Sequence, residues 1–153
     1  MAFACGGEKV SKSVLISIQP EYCQFIADGY KTAEVRKNFP KFETPFKVYI
    51  YCTKGKGYAP DITQGMVIGE FLCKLIEKFP YNRNGYGIEA EDQLCVEACL
   101  DPNELYNYLQ GATPYAWHIS DLVIYEAPKE LSAFGKSKPP QSWYYVNEEG
   151  LSK

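Results

Sequence analysis

Gly29-Tyr30-Lys31-Thr32-Ala33-Glu34-Val35-Arg36 is the stretch on which the reading of this chain turns. It gathers an ammonium, a hydroxyl, a carboxylate and a guanidinium (Lys31, Thr32, Glu34 and Arg36) directly after a glycine. Upstream, Pro20 opens a spacing in which Tyr22, Phe25 and Ile26 fall at i, i+3 and i+4, the pattern of one buried helix face. Gly29 suits the end of that helix, because a residue without Cβ enters the left-handed cap conformation at little cost. The spacing predicts a helix over residues 20–28, with the motif starting at its cap. If residues 32–36 are extended, side chains alternate, and Thr32, Glu34 and Arg36 share one face. Such a row can build an anion-binding or acid–base site. It can equally be a solvated strand face carrying a surface ion pair.

The flanking segments predict an ordered set of short elements. Val14–Ile18 is an apolar, β-branched run of strand type, with Ser17 inside it and Gln19 after it. Phe46–Thr53 alternates, with Val48, Ile50 and Cys52 facing one way and Tyr49 and Tyr51 the other. Gly65–Lys74 reads as the next strand, and Gly69 inside it marks a bulge or a close backbone approach. Residues 78–92 read as a long loop and Glu89–Leu100 as a short helix. A clearer helix starts at Asp101-Pro102-Asn103-Glu104, close to a capping box, with Leu105, Tyr108 and Leu109 as its buried side and Gly111 at its end. Tyr115–Ile119 and Leu122–Glu126 read as two strands separated by Ser120-Asp121, and Trp143–Val146 as a last strand. Five or six strands with two or three helices between them point to an α+β protein. The simplest architecture is a small, mixed, partly closed β-barrel flanked by helices. One domain is expected over residues 14–146, after a lead-in over 1–13 and before a tail over 147–153.

Composition excludes several classes. The 153 residues carry 46% hydrophobic and 23% charged side chains, which are globular values. A net charge of −3 is not that of a general phosphate-backbone binder, so any nucleic-acid role must rest on a local pocket. No stretch approaches the roughly 18 apolar residues of a membrane helix, and residues 1–13 lack the apolar run of a secretory signal. The six cysteines are therefore expected as reduced thiols in the cytoplasm. Only Cys95 and Cys99 are close in sequence, and His118 is the single histidine, so neither a metal site nor a cofactor is expected.

The order strand, proline-led helix, Gly-x-Lys-Thr-x-Glu-x-Arg, strand resembles the ASCH domain family, a branch of the PUA-like fold. The resemblance is carried by Ile16-Ser17-Ile18-Gln19-Pro20-Glu21-Tyr22, by Gly29–Lys37, by Val48–Tyr51 and by Val67–Phe71. Tyr115–Leu122 and Pro139-Pro140-Gln141-Ser142-Trp143 extend it, so that it covers about residues 14–146. It implies a β-barrel core with a cleft beside the motif, and a nucleic-acid-related function, most often proposed as RNA binding. Some small bacterial relatives act as amidohydrolases on N4-acetylcytidine, using the motif lysine with a threonine and a distant glutamate. Lys31 matches that lysine, but Glu34 stands at the threonine position. Other relatives are linked to ribonuclease activity.

These readings give a first set of site residues. Ser17, Gln19, Lys31, Thr32, Glu34, Arg36, Tyr51 and His118 are the expected ligand-binding positions. Tyr51, Tyr58 or Trp117 can supply a ring on which an unpaired base stacks. If the protein is an enzyme, Lys31, Glu34 and Glu70 are the expected acid–base groups, with Glu70 alternatively a structural partner of Arg36. The preferred expectation is a module that binds RNA or a nucleotide-like small molecule. The alternatives are hydrolysis of an acylated cytidine and a protein-binding accessory role of phage origin.

Overall fold

In a computed structural model of the chain, the described residues are 12–80 and 88–147. The lead-in before Lys12, the stretch 81–87 within the expected long loop and the tail beyond Asn147 lie outside them.

The chain enters through β1 (Lys12–Ile18), which is buried from Ser13 to Ile18. A near-continuous apolar run is what a strand covered on both faces requires. Helix α1 (Pro20–Ala27) follows with proline in its first turn, and Gly29 at φ +85° turns the chain out of it. The motif then forms the short strand β2 (Ala33–Arg36), followed by β3 (Phe46–Cys52) and β4 (Met66–Lys78). Two helices come next, α2 (Ile88–Ala98) and α3 (Pro102–Leu109). Strand β5 (Tyr115–Lys129), a 3-10 turn (Leu131–Phe134) and β6 (Trp143–Asn147) complete the order.

The six strands form one sheet in the order β2-β5-β4-β3-β1-β6, coiled into a half-barrel. Among the described residues only β1 and β3 pair in parallel, and α1 and β2 lie on the crossover between them. The architecture is thus the mixed α+β half-barrel with three helices that the sequence leads one to expect. Both faces of β3 are covered, as its alternation requires. Val48, Ile50 and Cys52 join Val14, Ile16, Phe71 and Trp117 in the main core, which Cys23 and Ile26 of α1 close. Tyr49 and Tyr51 point to the other side and pack with Leu15, Val67, Phe134 and Val146. A third cluster forms where α2 and α3 (Leu94, Cys95, Leu105, Leu109) cover Ala33 and Val35 of β2. With Ala33 and Val35 turned to the helices, Glu34 and Arg36 turn the opposite way.

Three expectations are corrected. Ser120-Asp121 does not separate two strands: β5 continues through it. Asp121 adopts φ +51°, a conformation Asp tolerates better than most residues, and the ladder with β4 shifts register on either side. The ends of the expected loop over 78–92 are regular structure instead, because β4 reaches Lys78 and α2 begins at Ile88. Tyr108 is not on the buried side of α3, where only Leu105 and Leu109 are shut away.

Two local features follow the sequence closely. Asp101 accepts the Glu104 amide at 2.8 Å while Glu104 accepts the Asp101 amide at 2.9 Å, a complete capping box. Such a cap stabilises a helix by about 1 kcal/mol. At Gly69 an added Cβ would sit 2.4 Å from the Val123 carbonyl oxygen, so β5 approaches here as only glycine allows. No helix among the described residues is long and apolar enough to cross a membrane.

Candidate functional site

A cleft of about 560 Å³ opens where the C-terminal ends of β1 and β3 meet β2, α1 and α3. One wall is Ser17 and Gln19 with the motif residues Lys31, Glu34 and Arg36. The facing wall is Leu100, Glu104, Asn107 and Tyr108, while Ile18, Tyr22, Val35, Thr53 and Gln141 complete the lining.

The motif wall is a buried charge cluster. Lys31, Glu34 and Arg36 are 3%, 7% and 9% exposed, so the surface-pair reading does not apply. One carboxylate serves both cations: Glu34 Oε1 lies 3.1 Å from Lys31 Nζ, and Oε2 lies 2.7 Å from Arg36 Nη2. Arg36 Nε also donates to Glu34 Oε2 at 2.8 Å. Burial pushes the Glu34 pKa up, but the Lys31 and Arg36 charges and their hydrogen bonds outweigh it and hold the carboxyl below its ordinary value. Two backbone carbonyls and a serine hydroxyl take further donors of the two cations. Lys31 Nζ donates to the Ala98 carbonyl at 2.7 Å, at the end of α2. Arg36 Nη2 donates to the Ser17 carbonyl at 2.7 Å, and Nη1 to Ser142 Oγ at 2.9 Å. Ser17 is held in turn, its hydroxyl donating to the Pro140 carbonyl at 2.6 Å and its amide to the Ser142 carbonyl at 2.9 Å.

Two cations and one carboxylate leave a single formal positive charge on this wall, opposed across the cleft by Glu104. The site is polar but not strongly cationic. Tyr22 donates to Glu104 Oε2 at 3.1 Å, and burial together with that bond raises its phenol pKa. Lys31 Nζ lies 5.3 Å above the Tyr22 ring. Tyr108 lines the cleft and is 37% exposed, with Lys37 Nζ 4.9 Å from its ring. The amide side chains of Gln19, Asn107 and Gln141 hold no hydrogen bond among the described residues, which leaves both their donors and their acceptors to a ligand.

The expected site residues divide accordingly. Ser17, Gln19, Lys31, Glu34 and Arg36 meet in the cleft. Thr32 does not: its side chain is exposed, and its backbone bridges the Glu97 carbonyl (2.8 Å) and the Ile119 amide (3.0 Å). Tyr51 lies on the other face of the sheet because it alternates with Ile50 and Cys52. Glu70 sits opposite Tyr49 on that same far face, accepting from Tyr125 Oη at 2.6 Å and pairing with Lys47 at 3.2 Å, so it neither partners Arg36 nor joins an acid–base pair with Lys31. His118 is paired with Glu77 at 2.9 Å, away from the cleft lining. Trp117 is wholly buried and Tyr58 stands on an exposed loop, so neither presents a ring to the cleft.

Sequence reasoning missed the facing wall. Glu104, Asn107 and Tyr108 have the i, i+3, i+4 spacing of one helix face, which is a legible signal. Nothing local, however, says that this face turns toward residues some seventy positions earlier. Gln141 carries no comparable signal.

The chain shares its fold with solved structures of the ASCH protein from Zymomonas mobilis. That protein is 23% identical, with 91% of this chain and 90% of that one covered and a TM-score of 0.71. A serine-to-alanine variant of it (22% identical, 91% of each chain, TM-score 0.71) and a tyrosine-to-phenylalanine variant (23% identical, 90% and 92%, TM-score 0.69) agree. No family model and no curated protein matches the sequence.

Proposed function

We propose that this ASCH-fold chain, acting as one domain over residues 14–146 in the cytoplasm, binds a single exposed nucleotide of RNA, or a free nucleoside, in the cleft beside Lys31. One observation carries the reading. A nucleotide-sized cleft combines three uncommitted amides with an open tyrosine ring and a nearly charge-balanced polar wall. Amides read the edges of bases, and aromatic rings stack on their faces. A duplex or a polyphosphate calls for a broad positive surface, which the net charge of −3 does not supply. Lys31 contacts a phosphate or a carbonyl of the ligand at the cleft floor, and Arg36, saturated by its own partners, holds the wall in shape.

The test is a calorimetric titration with nucleosides and with short single-stranded RNA at low salt. Tyr108→Ala is expected to weaken binding about tenfold, given about 1–3 kcal/mol for one stacked base, and Asn107→Ala by a similar factor, given about 1–3 kcal/mol for an amide reading a base edge, both melting like the parent. Absence of binding to every nucleoside and RNA tested, or binding that both substitutions leave unchanged, overturns the reading.

A second reading, hydrolysis of an acylated cytidine, is favoured by the presence of a lysine, a threonine hydroxyl (Thr53) and a carboxylate (Glu104) in the same cleft. It is weakened at Glu34, which both cations hold as a carboxylate of lowered pKa and which is therefore a poor base. Incubation with N4-acetylcytidine decides: release of acetate that Lys31→Ala abolishes establishes catalysis, and none alongside an active relative rules it out.

A further inference from the structure

On the opposite side of the motif from the cleft, Glu77 of β4, His118 of β5 and Glu97 in the last turn of α2 converge. One ligating atom from each lies within 4.8 Å of the other two. His118 Nε2 is 2.9 Å from Glu77 Oε1. Among the described residues, Glu97 Oε2 accepts only a 3.3 Å hydrogen bond from Gln93, and its Oε1 is shut away from solvent with no hydrogen-bond partner. A carboxylate oxygen buried without a donor is rare and costly, and it calls for an occupant.

Two carboxylates and an imidazole offer that occupant two negative charges and a nitrogen ligand. From these groups we infer a binding site for one divalent transition-metal ion, Zn²⁺ being the best match, formed by Glu77, Glu97 and His118. Mixed nitrogen and oxygen ligands suit Zn²⁺ better than the all-oxygen ions Mg²⁺ or Ca²⁺. Tetrahedral bonds of about 2.0–2.2 Å set neighbouring ligand atoms about 3.4 Å apart. The His118–Glu77 contact therefore opens slightly and Glu97 moves slightly inward, which are side-chain adjustments only. The backbones beneath are already fixed to one another. The Thr32 amide donates to the Glu97 carbonyl at 2.8 Å, and the Thr32 carbonyl accepts the Ile119 amide at 3.0 Å. Glu77 is laddered to Ala116 two residues before His118. All three side chains are partly exposed, so the ion enters from solvent, and three protein ligands leave a coordination position to water. The ion ties the end of α2 to the sheet. It acts next to Ala98, whose carbonyl receives Lys31 Nζ, so it also fixes the acceptor that positions the motif lysine.

The experiment strips the protein with a chelator and titrates it with Zn²⁺ and, as a spectroscopic stand-in, Co²⁺. Uptake of one equivalent is expected, with visible Co²⁺ bands of a four- or five-coordinate site and a rise in Tm that chelator reverses. His118→Ala and Glu97→Gln should each weaken uptake at least tenfold, whereas Cys99→Ser should not. No Tm shift in the parent protein at saturating Zn²⁺ overturns the inference without recourse to any variant. So does uptake that survives His118→Ala, or uptake that is lost with Cys99→Ser and moves the site to the thiols.

Discussion

At the scale of single residues, Glu34 holds the cleft together. Its one carboxylate is the shared counter-ion of two cations that are themselves almost wholly buried. Glu34→Gln keeps the shape and removes the charge, leaving Lys31 and Arg36 facing each other without a counter-ion. Removing one partner of a buried ion pair typically costs about 3–5 kcal/mol, and a urea melt of the variant should register a loss of that order. The pH dependence has a definite sign. The folded-state pKa of Glu34 lies below its unfolded value, so its contribution is fully present above the ordinary carboxylate range, about 4.3. That contribution fades as pH falls through the lower folded value. Acid unfolding of the parent should therefore steepen below about pH 4, and Glu34→Gln should lose part of that limb. A variant matching the parent in both respects would mean that the triad does not stabilise the fold. The period-2 pattern placed Glu34 and Arg36 on one face correctly. Their burial was not legible, because charged residues are mostly exposed and only the return of Ser142 and α3 shuts these away.

At the scale of elements, the short-range signals were the most legible. Pro20, Gly29 and the Asp101–Glu104 box act within a few residues of where they stand, and each helix end falls where they indicate. Gly69 marked a close approach, and the β5 carbonyl at Val123 is what approaches. Gly69→Ala meets backbone that cannot swing aside, so a loss of about 1–3 kcal/mol is expected, as for overpacking elsewhere. A thermal melt unchanged from the parent would show that β5 shifts freely. The misreadings occurred where an element's partner is distant. Ser120-Asp121 has the composition of a turn, but long pairing with β4 carries the strand through it as a bulge. Tyr51 lies on a strand covered on both faces. Alternation says that Tyr49 and Tyr51 oppose Ile50, but not which face borders a cleft.

At the scale of the whole molecule, the site is a product of topology. β1 pairs in parallel with β3 and antiparallel with β6, which brings Ser17 and Arg36 against residues 140–142. A chain ended at residue 138 keeps the entire motif but loses β6, the Pro140 carbonyl and the Ser142 hydroxyl. It should show no cooperative melting transition, and a sharp transition near that of the full chain would contradict this account. The order of synthesis therefore matters. A ribosome that has released the Gly29–Arg36 segment has released no cleft, because the carbonyls and hydroxyl that lock Ser17 and Arg36 are still to be translated. The cleft wall stays unformed until residue 142 clears the exit tunnel, and it then takes shape together with completion of the sheet.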